Sequence, residues 1–164
     1  MIKTNGLYYK SRLLAVRDST MKDAFDMAPH MRESDKQEIW ASNHISSENA
    51  LVGGVINSVV CLTAEMNEKP IIMGGIVPQS LLGHTAIIWL LGTDDMKKIA
   101  KTFLKTSRSY IDHMLEFYPY LFNYIDVRNK ESLLWLKYCG AEFSLTVPYG
   151  IEQKPFRYFC FRRK

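Results

Sequence analysis

The sequence predicts an α+β protein, a mixed sheet with helices packed against it. Apolar, β-branched runs recur at residues 59–65, 71–77, 85–91, 121–127, 142–147 and 156–161. One long amphipathic segment, residues 94–117, divides the third run from the fourth. Polar helix-forming stretches precede the first of these runs and follow the fourth. The order is therefore strand, helices, three strands, long helix, strand, helix, two strands, which is an α+β pattern. With 164 residues, 47% of them hydrophobic, one domain with a full core is expected.

Residues 1–12 read as an N-terminal extension, and residues 13–164 as the single domain. Leu13-Leu14-Ala15-Val16 is a short buried strand. Ser19 or Thr20 can cap a helix over Met21–Ala28, which Pro29 stops or kinks. Residues 32–40 are polar and helix-friendly. Ser46-Ser47-Glu48 opens a further helix to about Ser58, weakened at Gly53-Gly54 by roughly 1 kcal/mol per glycine. The runs 59–65 and 71–77 flank the turn Asn67-Glu68-Lys69-Pro70 and form a hairpin. Thr85–Leu91 is continuously apolar and predicts a strand buried on both faces. The helix over 94–117 carries Ile99, Phe103, Leu104, Ile111, Met114 and Leu115 on one stripe, with Lys97, Lys101, Lys105 and Arg108 opposite. Leu121–Val127 is the next strand. Asn129 caps a helix to Tyr138, and Gly140 supplies its left-handed stop. Two strands joined at Pro148-Tyr149-Gly150 follow, the second an aromatic run expected to be buried.

Charge and composition exclude several classes. A net charge of +4 permits an acidic ligand without demanding one. The basic residues form no recognisable nucleic-acid motif, so nucleic acid is not an expected partner. The lysine face of the long helix and the tail Arg162-Arg163-Lys164 read as solvated surface. No apolar run reaches the ~20 residues that span a bilayer, so no membrane contact is expected. The start lacks a signal peptide's apolar stretch, which predicts a chain that stays in the cytosol. Cys61, Cys139 and Cys160 are odd in number and widely spaced, and predict reduced side chains rather than a disulfide framework. The four histidines are isolated, and no metal site is expected.

The segment from Val127 to Ala141 contains Asn129, Ser132 three positions on and Gly140 eleven positions on. With the element order, this resembles the GCN5-related N-acetyltransferase (GNAT) superfamily over about Leu13 to Phe161. The strand Ile87–Leu91, the loop Gly92-Thr93-Asp94-Asp95, the helix through His113–Pro119 and the segment Asn123–Asn129 are similar to a phage-encoded branch that includes a small internal virion protein. The resemblance implies a mixed, mostly antiparallel central sheet with a splayed parallel strand pair and helices on both faces. It also implies, for an active member, acetyl-coenzyme A as cofactor. The residues at the matching positions are Leu90, Leu91, Gly92, Thr93, Lys97, Lys98 and Asn129.

The residues at that site argue against acetyl transfer. The family's diphosphate loop is rich in glycine, and here only Gly92 remains. Thr93 reads as the N-cap of the long helix, with Asp94 and Asp95 in its first turn, where they already suit the helix dipole and would repel a diphosphate. The family's acid, a Tyr seven positions after the Asn, is replaced by Leu136, and Tyr138 lies about 200° further round the helix. Asp126, Glu48 and His84 are weaker acid–base candidates, so no catalytic residue is assigned. The expectation is a phage protein that acts mainly by binding a phage or host protein, in virion assembly, internal protein packaging or host interaction. It would act in the host cytoplasm or the virion, with no cofactor. The alternative is an acetyl-coenzyme A-dependent N-acetyltransferase with a degenerate diphosphate loop.

Overall fold

The computed structural model describes residues 7–10, 14–80 and 82–163. The strands are β1 (Leu7–Lys10), β2 (Leu14–Asp18), β3 (Val60–Met66), β4 (Lys69–Pro78), β5 (Thr85–Gly92), β6 (Tyr120–Asp126), β7 (Glu142–Tyr149) and β8 (Lys154–Arg162). The helices are α1 (Met21–Met27), α2 (Glu33–Asn43), α3 (Ser47–Asn57), α4 (Ala100–Phe117) and α5 (Lys130–Tyr138). The strands form one sheet in the order β1-β2-β3-β4-β5-β6-β8-β7. Every neighbouring pair is antiparallel except β5–β6, which is parallel. The expected mixed sheet with one parallel pair is what the chain forms.

Side-chain alternation along β3 divides the core. Val60 and Leu62 join a buried cluster with Ile111 and Met114 of α4 and Leu136 of α5. Cys61, between them, joins the opposite cluster with Ala24 and Met27 of α1 and Leu51 and Val55 of α3. The helices thus cover both faces. Among the described residues, no helix is long and apolar enough to cross a membrane. All three cysteines are free thiols, and burial pushes Cys61 and Cys139 up to about 11.

Several local expectations match the structure. Thr20 caps α1 in a full capping box with Asp23. Ser46 caps α3 and Asn129 caps α5, each accepting from the N–H three positions on. Gly140 takes the left-handed conformation, with φ 91°.

The entrance to the long helix differs. Residues Asp94–Ile99 wind as a 3-10 segment, and the α-helix starts at Ala100. Asp94 and Asp95 bond the lysines of this segment, Lys97 at 3.2 Å and Lys98 at 2.7 Å, instead of lying in the first turn of α4. Thr93 occupies the N-cap position of the 3-10 segment but makes no side-chain capping bond. Its buried hydroxyl has no hydrogen-bond partner among the described residues. The end of β5 also departs from full burial: Trp89, Leu90 and Leu91 are half-buried, because the sheet opens beside them. Of the N-terminal extension, Leu7–Lys10 pairs with β2 as the sheet's first strand. Residues 1–6 and 11–13, including Leu13 of the expected first strand, lie outside the described residues.

Candidate functional site

The site begins where β5 and β6 separate. Their ladder holds only Thr85–Tyr120, Ala86–Leu121 and Ile87–Phe122. Beyond it, β5 stays paired with β4 as far as Gly92, and β6 stays paired with β8 as far as Asp126. Each strand keeps its outer partner while the inner edges diverge. At the head of the gap, the Asn123 side-chain amide donates to the Ile88 carbonyl at 2.8 Å. A cavity of about 400 Å³ occupies the gap. It reaches α2 and α3 on one face of the sheet and Trp135 and Leu136 of α5 on the other.

Among the polar residues lining this cleft, Asp35 and Glu38 on α2 and Asn129 at the start of α5 are bonded to one another. Asn129 is 5% exposed. Its side-chain oxygen caps α5, while its amide donates to Asp35 at 3.3 Å and to Glu38 at 3.0 Å. Asp35 is 3% exposed. Its carboxylate also accepts two bonds from Arg32, at 2.6 and 3.1 Å, and the backbone N–H of Gly92 at 2.9 Å. Four donors satisfy this buried charge, as burial requires. Glu38 has no such set. Loss of water first, and then the charges of Asp35 and Asp126, push its carboxyl up to about 8 against the hydrogen bond from Asn129.

The expected cofactor residues separate into two groups. Leu90, Leu91 and Asn129 line the cleft. Gly92 is buried beside it, with its N–H committed to Asp35 and its carbonyl accepting from the Arg32 N–H at 2.8 Å. The Thr93 N–H donates to the Ile71 carbonyl at 2.9 Å. A Cβ on Gly92 would stand 2.0 Å from the Met96 sulfur, so the thioether fills the space a glycine loop would leave open. Lys97 lines a second groove of about 260 Å³ between the start of α4 and α5. Arg32 crosses that groove, donating to the Ser132 hydroxyl at 3.2 Å and lying 3.7 Å from Glu131. Lys98 is not among the residues lining either space. A diphosphate needs free backbone donors and unpaired cations. Here the Gly92 and Thr93 donors are taken and both lysines face their own acids, so these residues do not fit the nucleotide end of coenzyme A.

The acid–base candidates also resolve. Leu136 is 3% exposed, in the main core cluster. Tyr138 lies on the outer face of α5 with the Arg108 guanidinium 4.6 Å from its ring centre. Asp126 is buried and paired with Arg128 at 2.5 Å. Glu48 and His84 are exposed. Among the described residues, no group of three or more His, Cys, Asp or Glu side chains could hold a metal ion. The sequence reading missed Arg32, Asp35 and Glu38. Their one local signal is spacing, since positions 32, 35 and 38 repeat at nearly one helical turn.

The family described as "Bacteriophage T7, probable scaffold protein Gp13" matches residues 60–146, just over half of the chain. No curated protein matches the chain. Among solved structures, the ribosomal-protein-S5-alanine acetyltransferase from Vibrio fischeri is similar, with a TM-score of 0.67 at 14% identity over 94% of this chain and 95% of that one. A GNAT-family acetyltransferase from Bacillus anthracis gives 0.65 at 12% identity, covering 93% and 96%. The protein yncA from Salmonella typhimurium, solved with its cofactor acetyl-CoA, gives 0.61 at 10% identity, covering 92% and 94%. At these identities the likeness shows the GNAT fold.

Proposed function

The chain belongs to the family of the bacteriophage T7 probable scaffold protein Gp13, and from that premise we propose that it works by binding a protein partner during assembly or loading of a phage particle, not by transferring acetyl groups. It would act in the host cytoplasm or travel in the virion. The observation that carries this reading is the Asp35–Gly92 bond. It ties α2 to the loop where an acetyltransferase of this fold needs open donors. The Met96 sulfur over Gly92 supports the same reading.

A titration with acetyl-coenzyme A, followed by thermal unfolding, tests it. Ligand at 100 times its dissociation constant adds about 2.7 kcal/mol. For a chain of this size that is several degrees, at roughly 2–4 °C per kcal/mol. No shift at millimolar concentration is expected, and a shift of that size overturns the reading. A phage that encodes the protein, with the coding sequence deleted, gives the positive test. Its particles should lack protein components that the parent's contain, and particles of unchanged yield and composition would contradict a role in assembly.

The acetyltransferase reading is kept for one observation. The groove of about 260 Å³ between α4 and α5 is open and carries Arg32 and Lys97. It requires both cations to leave their present partners.

A further inference from the structure

We propose that the outer groove between α4 and α5 docks an acidic, amphipathic segment of the protein partner, its carboxylates on Lys101, Lys105 and Arg108 and its apolar side chains on Leu104 and Leu134. This names the surface and the chemistry of the binding reading above and rests on it.

The two helices lie side by side. The Trp135 indole N–H donates to the Ser107 hydroxyl at 2.8 Å, and the Arg108 guanidinium donates to the Tyr138 carbonyl at 3.0 Å. The groove of about 260 Å³ between them is lined by the stacked rings of Phe103 and Trp135, whose centres are 5.3 Å apart. Beside it, Leu104 is 38%, Tyr138 43% and Leu134 70% exposed. Positions 101, 104 and 108 on α4, and 131, 134 and 138 on α5, are three or four apart, so each set forms one ridge. From sequence alone the lysine face of α4 is simply solvated, but the structure sets it beside exposed apolar side chains and a groove. That combination suits an amphipathic partner.

Charge decides which partner. From position 100 to 111, α4 carries Lys101, Lys105 and Arg108 and no acid. Among the described residues, none of the three has an acid within ion-pair distance. Lys97 and Lys98, by contrast, are closed by Asp94 and Asp95. Glu131, the one acid lining the groove, lies 3.7 Å from Arg32. Three like charges at spacings of three and four repel one another, and an acidic segment relieves that repulsion. A nucleic-acid strand would find cations but no ring to stack on, since the Arg108 guanidinium lies over the Tyr138 ring, 4.6 Å from its centre.

The test uses the capped peptide Ac-Glu-Leu-Glu-Glu-Leu-Leu-Glu-Glu-Leu-Glu-NH2 and its analogue with glutamine at every glutamate, titrated into the full chain at low salt. The acidic peptide is expected to bind about tenfold or more tightly than the analogue, with the gap narrowing as salt rises. Lys105→Glu should weaken it by about fivefold or more. Lys36→Glu makes the same change of net charge on α2, across the sheet, and should leave the affinity unchanged. Leu134→Ser should weaken both peptides. Lys105 and Leu134 are exposed, so an unchanged melting temperature is expected for each variant. NMR of the unsubstituted protein is independent of any variant, and peptide-induced shifts should concentrate at residues 100–108 and 131–138. Equal affinity for the two peptides, equal loss from Lys36→Glu and Lys105→Glu, or shifts centred elsewhere each overturn the proposal. An oligothymidine that binds more tightly than the peptide, and loses that binding in Lys105→Glu, overturns it too. Acetyl-coenzyme A separates this proposal from the binding reading. A rise in melting temperature with that ligand defeats the binding reading, whereas peptide affinities indifferent to Lys105, with no such rise, defeat the docking surface alone.

Discussion

The carboxylate of Asp35 accepts the backbone N–H of Gly92 at 2.9 Å across 57 positions of sequence. This bond joins the first turn of α2 to the last residue of β5, so the anchoring of a helix and the chemistry of a loop depend on one side chain. Asp35→Ala would leave the buried Arg32 with only the Ser132 hydroxyl and the more distant, exposed Glu131, and Gly92 without its acceptor. Breaking a buried pair from one side costs about 3–5 kcal/mol. Urea unfolding should show a loss of that order, and a change below 1 kcal/mol would mean the network is not structural.

Glu38 makes stability depend on pH. Its folded pKa, about 8, lies above the ordinary carboxylate value of 4.5. Between those values the folded state holds a proton that the unfolded state has released. Stability is therefore fully present below pH 4.5 and is lost as pH rises towards 8, by at most ~1.4 kcal/mol per unit. Glu38→Gln, which cannot ionise, should flatten this part of the curve and be the more stable protein at pH 8. Identical pH profiles of the melting temperature would refute the assignment.

Asn129 serves three partners with one amide group. Asn129→Ala removes the cap of α5 and both donors to α2, and the cap alone is worth about 0.5–2 kcal/mol. Asn129→Asp keeps a capping oxygen but sets a new negative charge against Asp35 and Glu38. The aspartate variant should therefore be the less stable of the two at pH 8, with the gap narrowing at pH 5, as read by chemical unfolding at each pH.

Gly54 on α3 lies under the Trp89 ring, and a Cβ there would stand 2.4 Å from the indole. Trp89 also donates to the Ser58 hydroxyl at 2.9 Å. Gly54→Ala gains helix propensity but must displace the ring, so a net loss of about 1–3 kcal/mol is expected. A changed tryptophan emission spectrum should accompany it. An alanine variant as stable as the parent, with unchanged emission, would count against this packing.

What the sequence revealed follows from distance along the chain. Asn129 and Gly140 were legible because a cap and a left-handed stop are made by neighbours three or four positions away. The buried stripe of α4 was legible because apolar period reports burial. The start of α4 was misread since acids followed by lysines suit both a dipole-stabilised first turn and a 3-10 segment closed by its own ion pairs. Glu38 was invisible for a different reason. Its donor Asn129 is 91 positions away, and α2 carries too few apolar residues to show which face is covered. Asp35 in isolation looks like any acid near a helix start.

The turn joining β7 to β8 fastens the far end of the same helix. The Ile151 and Glu152 N–H groups donate to the Ser42 and Ala41 carbonyls at 3.0 and 3.1 Å, and Gly150 is needed because a Cβ would lie 2.5 Å from the Ala41 carbonyl. During synthesis α2 leaves the ribosome more than a hundred residues before this fastening exists. A nascent chain therefore has no finished cleft, and that part of the molecule is completed only when the late hairpin has closed on the early helix.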